Sequence, residues 1–253
     1  MSQQSTNQAF SNEIFSFHLC EMPILSIVKL LLFRSKEKNF IGLKHMEAFF
    51  IMGLGSSIFS KSRYQLGKIA FFAHWESQQA LEEYLAASGL GMRFKEGWHV
   101  RMNLYRVWGE VSELKNAEVK SSYKKKGSRV VAVTLARLKL TETFRFISWG
   151  RPVESQVKHH KGNILAHAAM RPFNTFSTFS IWENEEEMLN MVKGRSAKVD
   201  GESHKRAMSE RNRKPFHYEF STMRFSPISE HGFWNGRGDY IFQGVTGVRQ
   251  NAQ

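Results

Sequence analysis

The chain has 253 residues, 42% of them hydrophobic and 23% charged, the make-up of a folded protein with a substantial core. Its 36 basic and 23 acidic side chains give a formal charge of +13, yet no helix-turn-helix, zinc-finger or RNP-like signature directs that charge to bases. Nucleic acid is therefore not an expected partner, and the single cysteine, Cys20, excludes an internal disulfide and a Cys-x-x-Cys-His haem attachment and suits the cytoplasm.

In chain order, residues 1–20 read as an N-terminal extension with no basic n-region, its apolar residues interrupted by Glu13. The longest apolar stretch, Ile24 to Phe33, carries Lys29 and is too short to span a bilayer. Within it, Ile24 to Leu31 reads as a strand opening a first half, 21–114. A short strand around Ile51 to Phe59, a strand ending at Trp75, a helix over Gln78 to Ala87 and a strand over His99 to Trp108 follow. A basic linker, 115–128, contains Lys124-Lys-Lys-Gly127 and has no apolar periodicity, so it is expected to be exposed.

The second half, 129–228, repeats that order: a strand at Val130 to Arg137, a short strand at Leu165 to Ala169, and another ending at Trp182. A helix at Glu185 to Val192, opened by three glutamates, and a strand at His217 to Phe225 complete it. With Trp75 set on Trp182, Phe72 meets Phe179, Glu76 meets Glu183 and Leu85 meets Val192. The order predicts an α+β fold of two tandem ferredoxin-like halves, their antiparallel sheets packed face to face. The tail, 229–253, is Gly-rich and gives no pattern.

Side chains alternate between the faces of a strand, so the halves can be compared face by face. Ala132, Thr134 and Ala136 share a face, set against Ser26, Val28 and Leu30 in the first half. Thr178 and Ser180 share another, set against Phe71 and Ala73. Volume lost in the second half is filled either by a ligand or by bulky neighbours, because interiors are close-packed. Thr134, Thr178 and Ser180 are the candidate cavity wall.

Of the ten histidines, His204 stands out. Ser203 suits the N-cap of a short helix on which His204 shares a face with Ala207 and Met208, beside Lys205 and Arg206. That setting suits an axial haem ligand, but on the residues alone a half-buried histidine on an amphipathic helix is the first reading. His159, His160 and His167 lack a metal-ligand spacing and read as surface groups, while His74 and His99 read as strand packing. There is no nucleophile elbow or phosphate-binding loop.

Four segments resemble spheroidene monooxygenases, the carotenoid-oxygenating enzymes of photosynthetic bacteria: Thr134-Leu-Ala136-Arg137, Thr178-Phe-Ser-Ile-Trp182, the His204 helix, and Phe216-His-Tyr-Glu219 leading to Arg224-Phe225. Met52-Gly-Leu-Gly55 and Phe72-Ala-His-Trp75 look like weaker counterparts in the first half. The resemblance spans roughly residues 24 to 228 and implies a dimeric α/β-barrel architecture within one chain. It implies haem b on His204 as metal ligand, and oxygenation of an acyclic carotenoid or similar polyene with electrons from a donor the sequence does not identify. Where the family pattern has a Gly-rich turn with an acidic residue, this chain has His167-Ala-Ala-Met-Arg171-Pro172. Arg171 is thus a candidate catalytic residue at the cavity's polar end, suited to an anionic substrate group or a haem propionate. Phe173 and Phe176 are candidate polyene contacts.

A haem-dependent dehydratase or peroxide-handling enzyme on a small substrate, or a haem-free protein binding an apolar ligand, would use the same fold. The charge also suits an anionic membrane surface, with Lys193, Arg195 and Lys198 near the cavity helix, so the chain is expected to be cytoplasmic and peripheral to the membrane's inner face.

Overall fold

In the computed structural model, which describes residues 13–32, 39–56, 60, 63–172, 174–195 and 202–242, each half has the order strand, helix, two strands, two helices, strand. The first is β1 (Ile14–Glu21), α1 (Ile24–Leu32), β2 (Leu43–Met52), β3 (Tyr64–Trp75), α2 (Gln78–Ala87), α3 (Gly89–Glu96) and β4 (Trp98–Glu110). The second is β5 (Val130–Leu138), α4 (Thr143–Lys158), β6 (Asn163–Arg171), β7 (Thr175–Trp182), α5 (Glu185–Val192), α6 (Ser203–Arg213) and β8 (His217–His231). The fold is α+β with ferredoxin-like halves, as expected. The two antiparallel sheets join edge to edge at β2–β6 and β4–β8, closing a barrel in the order β1-β3-β2-β6-β7-β5-β8-β4.

The tandem repeat is written in the strand register. Trp75 lies opposite Ile14 and Leu43, and Trp182 lies opposite Val130 and Asn163. Each indole donates to a serine hydroxyl at 2.8 Å, Trp75 Nε1 to Ser16 Oγ on the neighbouring β1 and Trp182 Nε1 to Ser180 Oγ on its own strand.

The start of the first half differs from expectation. Ile24 to Leu31 is helical, and the strand equivalent to Val130 to Arg137 is Ile14–Glu21, within the residues taken as an extension. A short apolar run does not distinguish helix from strand by pattern alone. Here Pro23 opens the helix, its carbonyl accepting from the Ser26 and Ile27 amides, and Ile27, Leu30 and Leu31 are buried at i, i+3 and i+4. β1 hid because both its faces are buried: Phe15, Phe17 and Leu19 face the barrel interior, while Cys20 joins the helix-side core. The counterparts of Ala132, Thr134 and Ala136 are therefore Ser16, His18 and Cys20, not Ser26, Val28 and Leu30.

The barrel interior is full. Phe17 stacks on Phe179 with ring centroids 3.8 Å apart, and Phe15, Phe72 and Phe225 pack beside them. The tail boundary at 229 falls inside β8, and the segment after it plugs one barrel mouth: Trp234, Tyr240 and Ile241 join the interior core. Glu230 holds that plug, accepting from the Tyr240 and Ile241 amides at 2.8 Å and from Trp98 Nε1 at 2.7 Å. Residues 115–128 connect the halves as a largely exposed segment.

On the outer face of the first half, His18 stacks on His99 and His99 on His231, both at 4.8 Å. Burial holds His18 down to about 3 and pushes His99 further below the ordinary histidine range. Below about pH 6.5 the unfolded chain takes up protons that the folded chain refuses. Stability is then full above that pH and falls below it, by up to about 1.4 kcal/mol per pH unit for each such histidine. Denaturant midpoints measured from about pH 7.5 to about pH 5 are expected to decline steadily. A flat profile would mean that these imidazoles are protonated inside the fold.

Candidate functional site

With the barrel filled, the layer between sheet and helices is where the two halves differ in the space they leave. In the first half that layer is solid: Phe71 lies between Phe94, at 4.4 Å, and Tyr84, at 6.0 Å, with His18 at 5.6 Å. Gly91 lets α3 close on α2, since a Cβ there would sit 1.9 Å from the Tyr84 carbonyl oxygen.

The second half has a cavity of about 400 Å³ in the same layer. The register explains it. In the first half His18 lies opposite Phe71 on one side and His99 on the other. At the equivalent positions of the second half Thr134 lies between Thr178 and Thr222. Three threonines on adjacent strands thus replace two histidines and a phenylalanine. Thr178 sits mid-strand on the helix-facing side and is still exposed, whereas Phe71 is completely buried. Among the described residues nothing covers Thr178 as Phe94 and Tyr84 cover Phe71.

The roof is α4, α5 and α6. Phe146, Val153 and Val157 come from α4, Met188 and Met191 from α5, and His204, Ala207, Met208 and Arg211 from α6. The α6 residues recur at i, i+3, i+4 and i+7, so one stripe of the helix faces the cavity. α6 has no buried residue of its own and is held at its ends. At its start, Gln156 of α4 accepts from the His204 amide at 3.0 Å and donates to the Met191 carbonyl at 2.8 Å. At its far end, Arg145 of α4 bonds Glu210 and Glu142, and Lys214 pairs with Glu142 at 2.6 Å.

His204 lines the cavity. Burial pushes its imidazole below the ordinary histidine range, opposed by the nearby Val192 backbone. An imidazole held neutral in this way is in the form that can bind a metal. Ser203, expected as N-cap, is the first residue of α6, and Glu202 occupies the cap. Among the described residues no cluster of three or more His, Cys, Asp or Glu is placed to hold a metal ion.

Thr134, Thr178 and Ser180 all line the cavity, as does Phe176; Phe173 lies outside the described residues. Arg171 does not line it. It sits in a separate charged pocket with His45, Glu47, Glu113, Arg137, Tyr218 and Glu219, donating to Glu47 at 2.7 Å and Thr175 Oγ1 at 2.7 Å. Glu47, 1% exposed, needs both Arg171 and Arg137, the latter at 3.3 Å, to offset its burial. Arg171 ends β6 at the seam with the first half, away from the apolar cavity.

The surface reading of the histidines holds only for His159. His160 is buried edge-on to Trp182, and His167 accepts a bond from Trp234 Nε1 at 3.1 Å inside the barrel mouth. Lys193 and Arg195 are exposed beyond α5, and Lys198 lies outside the described residues. Arg211, His217 and Thr222 are lining residues that the sequence reading passed over. Extending the His204 stripe by one turn would have reached Arg211.

No protein-family model and no curated protein matches the chain. Solved structures do resemble it. An aldoxime dehydratase in complex with butyraldoxime aligns at TM-score 0.49 and 7% identity, over 90% of this chain and 85% of that one. A monooxygenase-like protein from Listeria innocua aligns at 0.29 and 13%, over 85% and 96%. An uncharacterized ferredoxin-fold protein related to antibiotic biosynthesis monooxygenases, from Listeria monocytogenes, aligns at 0.28 and 11%, over 87% and 99%. Likenesses this distant carry no function across, and the carotenoid-oxygenase resemblance rests on the sequence motifs alone.

The comparison of halves gives a direct test. Thr178→Phe places the first half's residue over the cavity floor, where there is room for it. Overpacking a filled core costs about 1–3 kcal/mol, so a change in stability below about 1 kcal/mol is expected here instead. Binding of an apolar fluorescent dye should be lost with it. Severe destabilisation, or undiminished dye binding, would show that the space over Thr178 is not the ligand cavity.

Proposed function

We propose that the cavity holds haem b with His204 as axial ligand and that the protein is a haem-dependent monooxygenase oxidising an acyclic carotenoid or similar apolar polyene. The observation that carries this is the His204 imidazole on the wall of an apolar cavity between sheet and helices, on one stripe of α6 with Ala207 and Met208. The donor set fits the group: one imidazole for the iron, apolar and small side chains for the ring faces, and Arg211 and Arg224 at the wall for acidic substituents.

Haem supplies an iron able to activate oxygen or peroxide. The chain's own residues do the rest. Gln156 fixes the start of the helix that carries His204. Ala132, Thr134, Ala136 and Thr178 leave room, while Phe146, Phe176, Met188 and Met208 exclude water and orient an apolar chain.

The test is spectroscopic. Purified protein reconstituted with haem should show a Soret band, and His204→Ala should lose or shift it. Far-ultraviolet circular dichroism should stay near wild type, because alanine is the better helix former. His159→Ala, at an exposed position, should leave the spectrum unchanged. A His204→Ala protein with a normal Soret band and full polyene oxidation would remove His204 from the role. Normal haem binding with no polyene oxidation by the wild type would move the reading to a small substrate.

An apolar substrate points to a membrane as its source. Leu140, Phe144 and Trp149 are exposed at or beside α4, the cavity's roof, and Lys139 and Arg151 are exposed among them. No described helix is long and apolar enough to cross a membrane, and this surface suits peripheral contact with an anionic one. Binding to anionic vesicles should weaken as salt rises, because exposed charges are screened. Equal binding to neutral and anionic vesicles would remove the electrostatic part of this reading.

A further inference from the structure

The charged groups on the cavity wall are not equally satisfied. Glu154 bonds the Arg63 guanidinium at 2.9 and 3.0 Å and the Gly55 amide at 2.9 Å. Arg224 donates to Glu185 at 3.0 Å. Arg211 has neither an ion pair nor a hydrogen bond to any described residue. Its guanidinium lies over the rings of Phe220 and Trp108, 4.4 and 4.8 Å from their centroids, and its Nε is buried with no acceptor.

His217 stands next to it. This imidazole is 8% exposed, and neither ring nitrogen has a partner. Phe220, whose ring underlies Arg211, lies 4.8 Å from it, with Phe146 at 5.6 Å and Phe216 at 5.8 Å. Burial and the neighbouring Arg211 charge push His217 down to about 4, so it is neutral near pH 7 and offers one N–H donor. Buried polar groups are almost always bonded, and an unbonded donor beside an unpaired cation calls for an anionic acceptor. A carboxylate answers both: its two oxygens match the guanidinium fork, and a remaining lone pair can take the imidazole N–H.

We propose that Arg211 and His217 form a carboxylate-binding end of the cavity, so that its ligand is an apolar molecule carrying an acidic group. Arg211 lies seven residues beyond His204 on the same stripe of α6, about 10 Å along the helix axis. The acid end and the His204 end therefore sit at separate places along the cavity roof. The proposal rests on reading this cavity as an apolar-ligand site, and it holds with or without iron. Two sources share the chemistry: the propionate of a haem, and the acid end of an apolar substrate.

The experiment compares matched pairs on the purified full chain: hexadecanoate with hexadecan-1-ol by calorimetry, and haem with haem dimethyl ester by absorbance. In at least one pair the acid should bind about tenfold or more tightly than its neutral mate. Arg211→Gln should erase the difference and Arg211→Lys should keep part of it. A preference confined to the haem pair assigns the site to a propionate and agrees with a hydrocarbon polyene as substrate. A preference in the fatty-acid pair places the acid on the substrate and replaces that polyene. Equal binding within both pairs by the wild type overturns the proposal without any variant, and so does a preference that survives Arg211→Gln. Binding of none of the four overturns the cavity reading as well. Loss of the Soret band in His204→Ala with the acid preference intact would fault neither.

Discussion

The stacking of Phe17 on Phe179 at the centre of the barrel decides where everything else can be. One ring comes from each half, and around them the interior is closed by Phe15, Phe72, Val131, Val133 and Phe225. At this packing density no ligand fits inside. The apolar cavity lies on the outside of the sheet, beneath the helices, and two such layers exist because the fold is built twice. The first is solid and the second hollow. The difference comes down to what the strands present at equivalent register, His18, Phe71 and His99 against Thr134, Thr178 and Thr222.

The division of labour follows from that asymmetry. A domain needs enough buried apolar area to offset the entropy of ordering its chain, and a cavity forfeits contacts that would contribute to it. Here the filled layer of the first half, with Trp75, Tyr84 and Phe94 fully buried, supplies what the second half gives up. The long β4–β8 seam and the shared interior make the two halves one cooperative body. The hollow half can therefore keep small and polar side chains on its central strands without standing alone.

Much of this was legible in the sequence, for reasons that also explain the rest. The Trp75 and Trp182 equivalence was visible because a long side chain facing the helix layer at a fixed strand position tolerates few replacements. Thr134, Thr178 and Ser180 were visible because small polar residues on strands buried on both faces are out of place unless something else fills the space. β1 was invisible because Ile14-Phe-Ser-Phe-His-Leu19 is buried on both faces and shows little solvent-facing alternation. The apolar run of α1 is more conspicuous and took its place. Thr222 could not be found without the β5–β8 register, since its neighbourhood with Thr134 spans 88 residues of chain.

Arg171 and Arg211 separate what sequence can and cannot say about a cation. Both are arginines near the proposed site, and position in the chain favoured Arg171. Partner accounting reverses the order. Glu47 comes from the other half, 124 residues away, and occupies Arg171, whereas among the described residues Arg211 meets the faces of two aromatic rings and no acceptor. The same accounting applies to α6 as a whole. It is tied at one end by Gln156 and at the other by Arg145 and Glu142, and it buries no residue of its own between them. A helix held in this way draws its apolar contact from whatever fills the cavity beneath it. Filling the cavity then stabilises the roof, and the roof in turn holds the ligand, because a molecule bound only by the folded state adds its binding free energy to folding.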